Sequence, residues 1–212
     1  MIRRFRSGCF LLGVIAATTS GGVSSAVGAD VIDEWSSIKT PPTPALKAVS
    51  VDARTTALLM LDFMNQNCGQ RPRCLATIPA MKKLLTDARA KGATVIYTFF
   101  GTTTAADVIK DVAPAENEQT VTSFADKFLN TDLDKKLRDK GIQTVIVVGT
   151  AANGAVLYTG SGAALRGMNV IVPVDGISAV DPYAEQFSVW QLANGPSVGA
   201  KVTLTKTDML KF

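Results

Sequence analysis

There is no histidine anywhere in the 212 residues, and that absence excludes more chemistry than any other feature of the composition. A Ser-His-Asp or Cys-His relay needs an imidazole to carry the proton. Zinc, copper and non-haem iron sites lean on imidazole nitrogen, so no metal and no cofactor is expected. Cysteine is scarce, at three residues. No apolar run reaches the ~20 residues that span a bilayer. Lys/Arg runs interleaved with aromatics are missing too, which argues against a nucleic-acid partner. What is present is 47% hydrophobic and 19% charged residues, the composition of one folded domain with a well-buried core.

The first 29 residues read as a secretory signal peptide. Arg3, Arg4 and Arg6 make a charged start, Phe10 to Ala17 a short apolar run, and Val27 and Ala29 fit a small-residue cleavage pocket before Asp30. The Arg3-Arg4 pair permits twin-arginine export as well as the general route. Cleavage removes three arginines and no acid, so the net charge falls from +4 to about +1 and no basic partner surface is left to argue from. A periplasmic or secreted protein without a membrane anchor is the expectation. Cys9 leaves with the leader, which keeps Cys68 and Cys74 around Gly69 and Pro72. In an oxidising compartment this C-x5-C spacing favours a small disulfide loop, with free thiols or a reactive Cys68 as alternatives.

Residues 30–54 read as an extended arm, because Thr40-Pro-Pro-Thr-Pro44 cannot hold a helix. From residue 55 to 212, apolar runs of strand length alternate with amphipathic stretches. Strands are predicted at Thr56–Asp62, Thr94–Phe100, Gln143–Gly149, Asn169–Asp175 and Val202–Lys206. Helices are predicted at Ala80–Lys91, from Thr131 to Lys140, from Gly154 to Arg166, and from Asp181-Pro182 onward. The polar stretch Gly101–Asp126 reads as loop or short helix near the site. Strand-helix alternation of this kind predicts a mostly parallel, three-layer α/β/α sandwich.

Ligands of such sheets collect at the carboxyl ends of strands. Asp62 ends the first strand and leads into the amide-rich Phe63-Met-Asn65-Gln-Asn67, where it serves either as a turn cap or as a catalytic acid. Gly149-Thr-Ala-Ala-Asn153-Gly154-Ala155 ends the third strand and presents backbone N–H groups at a helix start. Its glycine spacing is of Walker type, but Ala155-Val156 stands where Lys-Ser/Thr is required. Gly160-Ser-Gly162 sits inside the next helix, where small residues permit close packing.

Leu59-Met-Leu-Asp62-Phe-Met-Asn65, Asn130-Thr-Asp-Leu-Asp134, Val147 to Thr159 and Arg166 to Asp175-Gly176 together resemble the isochorismatase-like, or cysteine hydrolase, superfamily. The resemblance covers roughly residues 55–208 and implies a Rossmann-like sandwich, often a dimer or tetramer, acting on small molecules. The family's usual mechanism is an Asp-Lys-Cys triad that cleaves amides. Asp62 falls on the family aspartate. Counting back from Thr131-Asp132-Leu133 places the family lysine at Thr122, and Lys127, five residues later, needs a local shift to reach the site. The nucleophilic cysteine falls at Ala155, whose methyl group cannot attack a carbonyl. Isochorismatase itself also does without that cysteine and cleaves a vinyl ether by protonation.

Two functions follow from this resemblance. In the first, an exported hydrolase-like enzyme uses Asp62 as general acid/base. There Asn65, Thr122 or Lys127 orient the substrate, and backbone N–H groups around Asn153, Gly154 and Ala155 stabilise negative charge. In the second, a catalytically silent relative keeps the pocket to bind a small molecule or to assemble with further copies. Recruitment of Cys68 as a substitute nucleophile is a third route, which a Cys68–Cys74 bridge argues against.

Overall fold

The computed structural model describes residues 28–212, so the expected leader, save its last two residues, lies outside the described residues. The chain divides at Pro42/Thr43 into two units. In the first, residues 31–37 form successive turns rather than an extended arm. The cause is local: the Asp30 carboxylate accepts the Ile32 and Asp33 N–H groups at 2.7 and 3.1 Å.

The second unit begins earlier than residue 55. Lys47 N–H bonds the Leu204 carbonyl, and β1 (Val49–Ser50) pairs in parallel with β9 (Leu210–Lys211). The central sheet contains β2 (Thr56–Leu61), β3 (Thr94–Phe99), β4 (Gln119–Thr122), β5 (Thr144–Thr150), β6 (Asn169–Pro173) and β8 (Val202–Thr205), in the order β4-β3-β2-β5-β6-β8. The short β7 (Ile177–Ser178) adds to the end of β5, and every ladder is parallel.

Each residue of β2 is buried, which is why its sequence is a continuous apolar run and not an alternating one. Ala57, Leu59 and Leu61 enter one core with Leu133, Leu137, Val156 and Leu192. Leu58 and Met60 enter the other with Met81, Leu84, Leu85, Cys68 and Cys74. The first core is closed by α3 (Leu133–Asp139), α4 (Leu157–Leu165) and α5 (Pro182–Asn194), and the second by α1 (Pro72–Leu75) and α2 (Ile78–Ala90). This is the three-layer sandwich expected from strand-helix alternation. Gly160 and Gly162 permit the close packing of α4: a side chain at Gly160 would meet Leu192 of α5, and one at Gly162 would meet Phe128.

β4 lies inside the stretch expected to be loop or short helix. Only Val121 of its four residues is buried, so this edge strand shows no apolar run for a sequence reading to find.

Candidate active site

Consecutive strands turn in opposite directions from β2: β3 and β4 lie to one side, and β5, β6 and β8 to the other. Crevices at the carboxyl ends of strands form at such a reversal. Leu61, the last residue of β2, is paired with Thr98 on one neighbour and Gly149 on the other. Asp62 therefore leaves the sheet at its topological switch point. Its φ of 55° lies in the left-handed region, which Asp tolerates better than most side chains.

The carboxylate of Asp62 is held at both oxygens. Thr98 Oγ1 donates to Oδ1 at 2.7 Å, and Lys127 Nζ lies 2.7 Å from Oδ2. The lysine ammonium also donates to the Ser123 carbonyl at 3.0 Å and the Phe99 carbonyl at 3.4 Å. Three acceptors thus meet the three N–H bonds of an ammonium. Lys127 is 0% exposed and Asp62 6%, so this is a buried ion pair. Burial pushes the Asp62 carboxyl above its ordinary range, against the opposing pull of the Lys127 charge and the two hydrogen bonds. Burial likewise pushes Lys127 below its ordinary value, with Asp62 opposing.

Lys127 gets inside because the chain after β4 folds back on itself. Ser123 Oγ lies 3.0 Å from both the Asp126 and the Leu129 carbonyl, which tightens the turn. The Lys127 N–H donates to Thr159 Oγ1 of α4 at 3.2 Å, and the Thr131 hydroxyl donates to the Lys127 carbonyl. This is the local shift that counting from Thr131 does not include. Thr122 is exposed at the end of β4, its backbone paired with Phe99, and its side chain makes no hydrogen bond to Asp62 or Lys127.

On the other side of the switch, β5 ends at Thr150, and the Thr150–Ala151 peptide is cis. A single π-helical turn, Ala152–Val156, precedes α4. Ala155 is 4% exposed and joins the core with Val156 and Leu157. The Gly154 N–H is already engaged by the Ala151 carbonyl at 3.0 Å, which removes one of the expected anion-stabilising donors. Asn153 is exposed.

Asn65 faces elsewhere. Its backbone N–H and its Nδ2 both donate to the Asp107 carbonyl at 2.9 Å, and Gln66 Nε2 bonds Asp107 Oδ1. The amide-rich segment thus anchors the loop around Asp107 instead of reaching Asp62. Cys68 and Cys74 form a disulfide with both residues fully buried, which closes the loop after the site and removes Cys68 as a free thiol. Among the described residues, no group of three or more His, Cys, Asp or Glu side chains could hold a metal ion.

Sequence reasoning missed Thr98 and the two carbonyls of Phe99 and Ser123. Thr98 carried a usable signal: it is a threonine one place before the carboxyl end of β3, the strand next to the one that Asp62 follows.

A model of the isochorismatase domain family matches residues 56–207. The nicotinamidase of Acinetobacter baylyi is 36% identical over 73 residues, which is 34% of this chain and 34% of that protein. The chain therefore matches about a third of the length of that curated relative. Among solved structures, a cysteine hydrolase from Pseudomonas syringae superposes with TM-score 0.67 at 23% identity, covering 79% of this chain and 95% of that one. An isochorismatase-like hydrolase from Alkaliphilus metalliredigens gives 0.66 at 22% identity, covering 73% and 95%. N-carbamoylsarcosine amidase from Thermoplasma acidophilum gives 0.62 at 23%, covering 73% and 97%. These likenesses establish a shared fold.

Proposed function

The chain belongs to the isochorismatase family, and from that premise we propose that it is an exported hydrolase of a small molecule that works without a cysteine nucleophile. The observation that carries this reading is the buried Asp62–Lys127 pair, 2.7 Å apart at the sheet's switch point. A carboxyl that burial raises above its ordinary range, with the Lys127 charge opposing, is suited to take up a proton and pass it to a substrate atom in the course of a reaction. The carboxylate left behind is stabilised in place by the Lys127 ammonium and the Thr98 hydroxyl. Water then supplies the hydroxyl that replaces the leaving group, and its proton returns to Asp62. No covalent acyl-enzyme step is assigned, because Ala155 stands at the position expected for the nucleophile. Export is supported by the pattern of the first 29 residues and by the Cys68–Cys74 bridge, which suits an oxidising compartment. A homo-oligomer is also part of the proposal. Tyr183, Phe187 and Trp190 recur at helical spacing on α5 and remain exposed, an apolar stripe that a second copy would cover.

The test is a screen of small amides, esters and vinyl ethers with paired wild-type and Asp62→Asn proteins. Turnover by the wild type that the variant loses supports Asp62 as acid/base. Absence of turnover with every class favours the silent binding protein, in which the same pair keeps only a structural role. A complementary experiment restores the thiol. Lys127 already meets Asp62, so Ala155→Cys alone is expected to create amide hydrolysis, with nicotinamide among the substrates tried. If the thiol introduced by Ala155→Cys can be alkylated yet the variant has no amidase activity, the assignment of position 155 as the nucleophile's seat is contradicted.

A further inference from the structure

Six arginines lie among the described residues, and five of them are engaged by the protein itself. Arg54, Arg73, Arg89 and Arg138 each pair with a carboxylate. Arg166 donates to the Gly162 carbonyl at 3.0 Å and lies 4.4 Å from the centre of the Phe128 ring. Arg71 differs. It is partly buried, yet only its Nε has a partner, the Asn67 carbonyl at 2.9 Å. Among the described residues, Nη1 and Nη2 meet no acceptor, and no carboxylate pairs with the side chain. Burial alone pulls the group below the ordinary guanidinium range, with no acid opposing. A guanidinium drawn partly out of water without a counter-charge is unfavourable, and an anion brought by a ligand offsets that cost.

Arg71 stands at the same end of the sheet as Asp62. The segment from Asp62 runs through Asn67 and Arg71 into α1, which packs against β7. Arg73 of α1 holds Glu185, and Glu185 accepts the N–H of Ala179, the residue after β7. Leu61, Gly149 and Ile177 are register neighbours on β2, β5 and β7. Two strand spacings therefore separate β7 from the end of β2, which sets Arg71 on the order of 10 Å from Asp62. The Nε bond to Asn67 draws the side chain back over the segment leading from Asp62 and leaves the two Nη groups free.

We propose, on the reading that Asp62 is the acid/base, that Arg71 is a substrate-recognition residue and that the substrate carries a carboxylate remote from its reacting bond. The guanidinium fork matches the two oxygens of a carboxylate. One unpaired cation neutralises a monoanion, whereas a phosphate dianion keeps a charge unmatched beside a partly buried group.

The test is binding of succinamate, glutaramate and adipamate to the 15N-labelled full chain, each compared with its neutral diamide. The Arg71 Nε–Hε resonance and the Asp62 and Phe63 backbone amides are followed. At least one amic acid is expected to shift both regions saturably, with an affinity about tenfold or more above that of its diamide. Arg71→Met should erase that preference, and the wild-type Nε–Hε shift reads the contact directly if the variant does not fold. The proposal is overturned if no amic acid shifts Arg71 Nε–Hε saturably up to about 50 mM. It is also overturned if the diamides bind as tightly, or if the preference survives in folded Arg71→Met. Binding is read without turnover, so the two assignments fail separately. A carboxylate-selective protein that hydrolyses nothing supports the contact at Arg71 and contradicts Asp62 as acid/base. Turnover of neutral amides with no carboxylate preference overturns the role of Arg71 and leaves Asp62 standing.

Discussion

Removing either member of the Asp62–Lys127 pair strands the other charge inside the protein, away from water that could solvate it. Asp62→Asn and Lys127→Met are each expected to destabilise the fold by about 3–5 kcal/mol, as for buried ion pairs generally. The double variant should be less destabilised than the sum of the two, and a urea-unfolding cycle measures that coupling. The pair also gives stability a pH signature. Folded Asp62 titrates above its ordinary value, so between the two values the native state holds a proton that the unfolded chain has released. Stability therefore falls as pH rises from about 4 through the raised value. Lys127 titrates below its ordinary value, so in that higher window the unfolded chain binds the extra proton and stability rises again with pH. Unfolding of wild type and of the double variant across pH should show this fall and recovery only in the wild type. Asp62 is legible in the sequence because it closes an apolar run of strand length. The position of Lys127 is not, since counting residues assumes a uniform connection, and the Ser123–Thr131 turn folds back on hydrogen bonds that no spacing reveals.

Two elements frame this pair and can be tested separately. The segment after Asp62 is pinned by Asn65 and Gln66 on Asp107, by the Cys68–Cys74 bridge, and by Arg73 of α1 paired with Glu185 of α5. The bridge closes only a short loop, so Cys68→Ser/Cys74→Ser should lose roughly 2 kcal/mol from loop entropy alone. Thiol titration of the unfolded, unreduced full chain should find one reactive sulfur, that of Cys9. The second element is the exit of β5. Gly149 has φ +137°, and an added Cβ would lie 2.1 Å from the Leu61 carbonyl. Gly149→Ala is expected to lose more than about 4 kcal/mol or fail to fold, because both the backbone and the contact with β2 refuse a side chain. Long elements with two-sided burial, such as β2 and β5, are readable from composition alone. The edge strand β4 and the π-helical turn are not: one buries a single residue, and the other departs from helical geometry over five residues.

At the scale of the molecule, the strand order β4-β3-β2-β5-β6-β8 brings residues 62, 98, 127 and 155 to one end of the sheet although they are far apart in sequence. The absence of histidine, which first excludes metal-supported and imidazole-based relays, is compatible with a site built on a carboxylate and an amine. The aromatic stripe on α5 belongs to this scale too. Sedimentation velocity should show a species larger than one chain for the wild type and a shift toward the monomer for Trp190→Glu, and a wild-type monomer contradicts self-association. The central claim is that Asp62 delivers and recovers a proton for a small-molecule substrate. The most direct measurement is turnover of the amide, ester and vinyl-ether panel by wild type and by Asp62→Asn, with unchanged circular dichroism confirming that the variant is folded. Turnover of at least one class by the wild type, reduced about 100-fold or more in the variant, is the expected result. Equal activity in the two folded proteins, or none in either, contradicts it.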